Sequence, residues 1–294
     1  MQKLIEKADV LIEALPYIRS FRGEIIVVKF GGSAMEEKAH AAGVLQDIAF
    51  MECVGMRPVI VHGGGKAITR KMKERGIEPR FVKGLRVTCE ESIKVVEQVL
   101  NEETNPEIVA ALKGLGAPAQ GLRGEEVFRI VRKTEVDPNT GETRDWGFVG
   151  EPGELDVAPI RAILKKGAIP VITPLGRGAD GRLYNMNADT AAAAVAAALK
   201  ARKLAFITDV PGLLRNPEDP ESILSTLKIG EVEQLIADGV IDGGMLPKVR
   251  SGVVALKAGV RKIHMIDGRM PHSLLLEIFT TKGVGTEIVW DEQN

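Results

Sequence analysis

Two lysines, one aspartate and three glycine clusters are the residues of this chain whose types and spacing suit chemistry on a phosphate. The runs IIVVKFGGS (Ile25 to Ser33) and RPVIVHGGGK (Arg57 to Lys66) both stop at glycines. Runs rich in Val and Ile read as buried strands, and glycines at their ends let backbone N–H groups approach an anion closely. Lys29 closes the first strand ahead of Gly31 and Gly32, and Ser33 is placed to cap a helix beginning near Glu36. His62 precedes Gly63, Gly64 and Gly65, a succession that is unfavourable unless the backbone bends or meets a ligand. His62 itself reads as a hydrogen-bonded strand-end residue rather than a general base. DGGMLPK (Asp242 to Lys248) repeats the device, with Gly243, Gly244 and a second lysine, Lys248, at a helix N-terminus.

Between these lie the polar candidates. GLRVT (Gly84 to Thr88) holds Arg86, whose planar fork suits a carboxylate. In YNMNAD, Asn185, Asn187 and Asp189 alternate onto one face of an extended segment that runs into a helix. Two lysines, glycine donors and an aspartate suit phosphoryl transfer, where positioning and neutralising the charge on the moving group supply most of the catalysis. No convincing general base accompanies them. A carboxylate acceptor, with a free pKa of about 4.3, is ionised at pH 7 and needs none. The residues thus lean towards an acyl phosphate product and leave other acceptors open.

The elements that must hold these residues alternate. Strand-like runs at Ile25 to Phe30, Pro58 to His62, Ala168 to Thr173, Leu204 to Thr208 and Lys262 to Ile266 are separated by helical stretches, the pattern of a mostly parallel α/β sheet covered by helices. Glu126 to Val149 reads instead as a β-hairpin around Asp137-Pro138-Asn139-Thr140-Gly141, expected at the sheet's edge. A division near Lys200 gives lobes 1–200 and 201–294. The leading segment places Leu4, Ile5, Ala8, Leu11, Ile12 and Leu15 on one helical face, with Pro16 expected to end or bend that helix.

Other chemistries fit poorly. A net charge of −1 and 4% aromatic residues argue against a nucleic-acid partner. No run approaches the roughly 18 apolar residues of a membrane span, and no membrane association is expected. Cys53 and Cys89 stand in no metal-ligand spacing, so no protein metal site is expected and a reducing cytoplasm is. Lys66 is followed by Ala67 and lacks the hydroxyl of a Walker loop. The spelling GxGxxG at Gly176, Gly178 and Gly181 continues into RLYNMN, where a dinucleotide fold requires a helix.

KFGGS, VHGGG, GLRVT, NMNAD, TDVPGLL (Thr208 to Leu214) and DGGMLPKV resemble, in order and over nearly the whole chain, the acetylglutamate kinase family of the amino-acid kinase superfamily. The lysine-glycine start and the TDV element are common to the superfamily; HGGG followed by GLRVT and NxNAD is more specific. The resemblance implies a three-layer αβα sandwich of the carbamate kinase-like type and ATP-dependent phosphorylation of the side-chain carboxylate of N-acetyl-L-glutamate. Lys29 and Lys248 would then stabilise the moving phosphoryl group, with Asp189 orienting both. Gly64, Gly65, Arg86, Asn185 and Asn187 would meet the acetylglutamate. Gly31, Gly32, Thr208, Asp209, Gly212, Gly243 and Gly244 would face the nucleotide, which brings Mg2+ bound to its own phosphates. Two departures, Lys66 where proline is frequent and Met186 where a branched residue is, touch no catalytic group.

The leading helix with Tyr17, together with Lys262 to Ile288, is similar to the arginine-inhibited members, which form hexamers as trimers of dimers. By that analogy Tyr17, His264, Glu277 and Gly283 are the expected arginine contacts. The alternatives are a superfamily kinase for glutamate, aspartate, carbamate or a nucleoside monophosphate, and a non-catalytic arginine-binding kinase fold.

Overall fold

A computed structural model describes residues 2–82, 84–136, 143–216, 218–280 and 283–291. In chain order its elements are α1 (Gln2–Phe21), β1 (Ile25–Phe30), α2 (Lys38–Cys53), β2 (Arg57–His62), α3 (Gly65–Glu74), β3 (Arg80–Val82), β4 (Leu85–Val87), α4 (Glu90–Glu97), α5 (Asn105–Gly114), β5 (Ala119–Leu122), β6 (Phe128–Val136) and β7 (Thr143–Leu155). There follow α6 (Ala158–Lys165), β8 (Ile169–Ile172), β9 (Leu175–Gly178), β10 (Leu183–Asn185), α7 (Ala188–Leu199), β11 (Lys203–Thr208), β12 (Thr226–Lys228), α8 (Val232–Ala237), α9 (Met245–Lys257), β13 (Lys262–Asp267), α10 (Ser273–Phe279) and β14 (Thr286–Val289). A π-helical stretch, Gln98–Thr104, links α4 to α5.

Among the described residues, eight strands form the main sheet in the order β12-β14-β13-β11-β1-β2-β8-β5. It is parallel except where β14 meets β13. Strand alternation sends Ile26, Val28 and Phe30 to a core with α2, α5 and α10, while Val27 joins α6, α7, α8 and α9 on the other face. The sheet is thus the middle of three layers, as expected. Helix α7 lies flat on it because its buried face is Ala191, Ala192, Ala193 and Ala196, side chains small enough for close approach.

Two local expectations are corrected and a third, that Pro16 ends or bends its helix, loses its first alternative. α1 continues through Pro16 rather than ending there; a proline removes one backbone donor and bends a helix without always stopping it. Glu37, not Ser33, stands at the N-cap of α2, because residues Gly32–Met35 make a separate 3-10 turn. The hairpin β6–β7 is present, but it closes with β9 and β10 into a small barrel instead of extending the main sheet. Its turn, 137–142, lies outside the described residues.

Candidate active site

β1 and β2 run side by side in register, Phe30 opposite His62, so their glycine ends meet. The Gly63 N–H donates to the Phe30 carbonyl at 2.7 Å. A Cβ on Gly31 would stand 3.1 Å from both Gly63 N and Lys29 Nζ, which leaves room for glycine and little more. Both ends open at the carboxyl edge of parallel strands, with β1 flanked by β2 on one side and β11 on the other, the place where α/β sheets bind ligands.

Lys29 shares the face of Val27 and points to the start of α7. There Asp189 pairs with both lysines, Oδ1 standing 3.0 Å from Lys29 Nζ and Oδ2 3.3 Å from Lys248 Nζ. Lys29 and Asp189 are only 6% and 5% exposed, so a bare charge would be unfavourable here. Burial works against the Asp189 carboxylate, but the two ammonium groups outweigh it and hold its pKa below the usual range. Lys248 comes from the first turn of α9, and its Nζ also reaches the Gly244 carbonyl at 3.3 Å. Residues 219 positions apart thus form one cation–anion–cation bridge.

A cavity of about 640 Å3 opens beside this bridge and is lined by Lys29, Gly32, Gly64, Gly65, Arg86, Asn185, Asn187 and Asp189. Asn187 is the N-cap of α7: its Oδ1 accepts from Asp189 N at 2.7 Å and Thr190 N at 3.3 Å, so its only side-chain oxygen is already committed to holding the first turn of α7 in place. Gly64 sits over Leu100 of the π-helical stretch, where a Cβ would come within 2.6 Å of Leu100 Cδ2. Thr208, Asp209 and Gly212 stand at or just beyond the carboxyl end of β11, and Gly243 and Gly244 precede α9; none of these five is among the residues lining the cavity. Gly212 and Gly243 have φ of 153° and 52°, a region that favours glycine.

Arg86 is buried at the far end, under the Phe81 ring at 4.7 Å. Its Nη2 donates to the Gly65 carbonyl at 2.9 Å and to Thr69 Oγ1 at 2.7 Å, and Nη1 to Met72 Sδ at 3.2 Å. A thioether is a weak acceptor, so Nη1 is the nitrogen a carboxylate would claim. Thr69, which no motif flagged, is committed in both directions, because it also donates to the Gly65 carbonyl at 2.8 Å. Replacing Thr69 by Val should raise the acceptor's KM roughly tenfold with kcat within about twofold, and Thr69→Ser should restore it. A uniform loss of kcat in initial-rate kinetics would contradict that role.

Tyr17, His264, Glu277 and Gly283 line a second cavity, of about 370 Å3, together with Lys203. Glu277 accepts His264 Nδ1–H at 2.7 Å and the N–H groups of Val284 and Gly285 at 2.7 and 3.0 Å. Burial opposes its charge, but these donors prevail and bring its pKa down to about 2. Burial, reinforced by Lys262, lowers Lys203 to about 8. A carboxyl group whose pKa is depressed on folding stabilises the protein above its unfolded pKa, and that contribution is lost as pH falls towards the folded one. Chemical denaturation should therefore show wild type losing about 2 kcal/mol more than Glu277→Gln between pH 5 and pH 3. Parallel curves for the two proteins would refute the pairing.

A model of the amino acid kinase family matches residues 24–267. The chain is 47% identical over 290 residues to the acetylglutamate kinase of Symbiobacterium thermophilum, covering 98% of this chain and 99% of that protein. It is 46% identical over 294 residues to the acetylglutamate kinase of Heliobacterium modesticaldum, covering 98% and 100%. Among solved structures, the N-acetylglutamate synthase from Neisseria gonorrhoeae complexed with coenzyme A and N-acetyl-glutamate is similar with a TM-score of 0.82 at 29% identity, over 96% of this chain. The match spans 63% of that synthase chain.

Proposed function

The chain belongs to the amino acid kinase family and, within it, to the acetylglutamate kinases, and from that membership we propose that it transfers a phosphoryl group from ATP to the side-chain carboxylate of N-acetyl-L-glutamate, a step of arginine biosynthesis. The observation that carries this is the Lys29–Asp189–Lys248 bridge at one end of a cavity whose other end is Arg86. Arg86 holds the acceptor's α-carboxylate, with Asn185 beside it, and the side-chain carboxylate then points towards Lys29. The Gly32, Gly64 and Gly65 backbone donors and the two ammonium groups neutralise the charge spread over the moving group. Asp189 keeps the two cations apart and aimed.

For the nucleotide, the donor set suits a polyphosphate: two lysines, glycine backbone and the N-terminus of α9. ATP supplies the phosphoryl group, and Mg2+ comes with it. Thr208, Asp209, Gly212, Gly243 and Gly244 hold it against Lys248, with Gly31 keeping the β1 end close. In this reading 1–200 forms the acceptor lobe and 201–294 the nucleotide lobe, divided near Lys200. A coupled ADP-release assay over N-acetylglutamate, glutamate, aspartate, carbamate and nucleoside monophosphates tests the assignment; inactivity with N-acetylglutamate alone would sink it.

The second cavity supports arginine as inhibitor. The Glu277 carboxylate and the Gly283 carbonyl accept from a guanidinium or α-amino group, His264 and Tyr17 complete the wall, and Lys203 faces a carboxylate. On α1, Ile5, Leu11, Ile12 and Leu15 remain exposed, an apolar face that a hexamer would bury between subunits. Removing residues 1–18 should reduce the assembly to dimers and weaken arginine inhibition; sedimentation at hexamer size would remove the idea. Cys53 and Cys89 are both free, which supports a cytoplasmic setting.

A further inference from the structure

His62 and Asn105 are buried polar side chains beside the active cavity that the chemistry above does not employ. Asn105 is the first residue of α5, delivered there by the π-helical stretch. Its Nδ2 lies 2.8 Å from the Val171 carbonyl and 3.2 Å from His62 Nε2. The carbonyl only accepts, which fixes the amide with its nitrogen on this side and makes the facing Nε2 the lone-pair nitrogen of the ring. The ring proton is then on Nδ1, which donates to the Gly63 carbonyl at 2.8 Å. Burial lowers the His62 pKa to about 4, so the ring stays neutral at physiological pH. Room for the amide comes from Gly121 of β5, where a Cβ would stand 2.3 Å from Asn105 Oδ1.

The consequence falls on the acceptor loop. In a trans peptide C=O and N–H point in opposite directions, so a carbonyl held on one side turns the following N–H to the other. The Gly63 carbonyl, held by His62, belongs to the Gly63–Gly64 peptide, and the Gly63 N–H, held by the Phe30 carbonyl, to the peptide before it, so the two planes flanking Gly63 Cα are both tied. We propose that Asn105 and His62 are positioning residues for phosphoryl transfer: the relay Val171–Asn105–His62–Gly63 aims the Gly64 N–H into the cavity, at the oxygen on which charge develops. This rests on reading that cavity as the acceptor site.

Asparagine places its Nδ2 where the imidazole has Nδ1, and glutamine places its Nε2 where the ring has Nε2. His62→Asn should therefore keep kcat within about threefold, while His62→Gln should lose about tenfold or more, with both KM values nearly unchanged. Asn105→Leu should fall like His62→Gln, and the pair combined should be no worse than either, because the residues act as one unit. Equal kcat in the Asn and Gln variants, or a double variant that multiplies the losses, would overturn the relay. Turnover of wild type on N-acetylglutamate tests the acceptor reading separately. Independently of activity, 15N NMR of the His62 ring should show the Nδ1–H tautomer unchanged from pH 8 to roughly pH 5.5, given the low pKa of the buried ring. An Nε2–H tautomer, or protonation within that range, would overturn the proposal.

Discussion

Lys248→Ala lowers kcat by about 10²-fold or more, while N-acetylglutamate and ATP still bind with affinities within a few-fold of wild type. The reason is where Lys248 stands. Its ammonium is 3.3 Å from Asp189 and comes from the α9 turn, whereas Arg86, the proposed anchor of the acceptor, is a separate part of the cavity wall bonded to Gly65 and Thr69. An ammonium aimed at a moving phosphoryl group acts most strongly when charge is spreading in the transition state, so its loss appears in turnover and not in acceptor binding. Initial-rate kinetics with calorimetric titration of each substrate decides this. Unchanged turnover would remove Lys248 from the machinery.

Asp189→Asn should do more damage still, with kcat down by about 10³-fold and stability reduced by about 3 kcal/mol. The carboxylate is the shared counter-charge of two ammonium groups, and Lys29 is nearly inaccessible to water. An amide of the same shape leaves those cations facing each other. The pH dependence has a definite sign: the folded Asp189 carboxyl has a lowered pKa, so its stabilisation is present above the ordinary aspartate range and lost as pH falls through the folded value. The stability gap between wild type and variant should accordingly narrow in acid. Urea midpoints at pH 7 and pH 3 measure it, and a gap that widens in acid would contradict the assignment.

The central strands were legible because a parallel sheet buried on both faces demands apolar runs, rich in Val and Ile in β1, β2 and β8 and of mixed apolar type in β11 and β13. β5, with the sequence AQGL, carries no such signal; its glycine serves the Asn105 contact rather than strand formation. The edge strand β12, its neighbour β14 and the short helix α10 were likewise unmarked, being too brief for a period to show. Within the site, Lys29 and Lys248 could be found because each ends or starts an element near glycines, and Asp189 because it continues the alternation of Asn185 and Asn187 into a helix. Thr69, Asn105 and Lys203 could not, since what makes them matter is a partner 17 or 43 residues away, or a cavity closed by distant segments.

The π-helical stretch Gln98–Thr104 carries a further consequence. A π turn amounts to one extra residue inside an α-helix, and each residue of an α-helix advances the chain by about 100°. α4 can therefore present Ile93 and Val96 to the small core with α3, while α5 presents Asn105 to His62 on a face shifted in phase. Closing that stretch into regular α-helix at unchanged length would rotate everything after it by about 100°, unplugging Asn105 from His62. The helical phase of one connector sets the alignment of the acceptor loop.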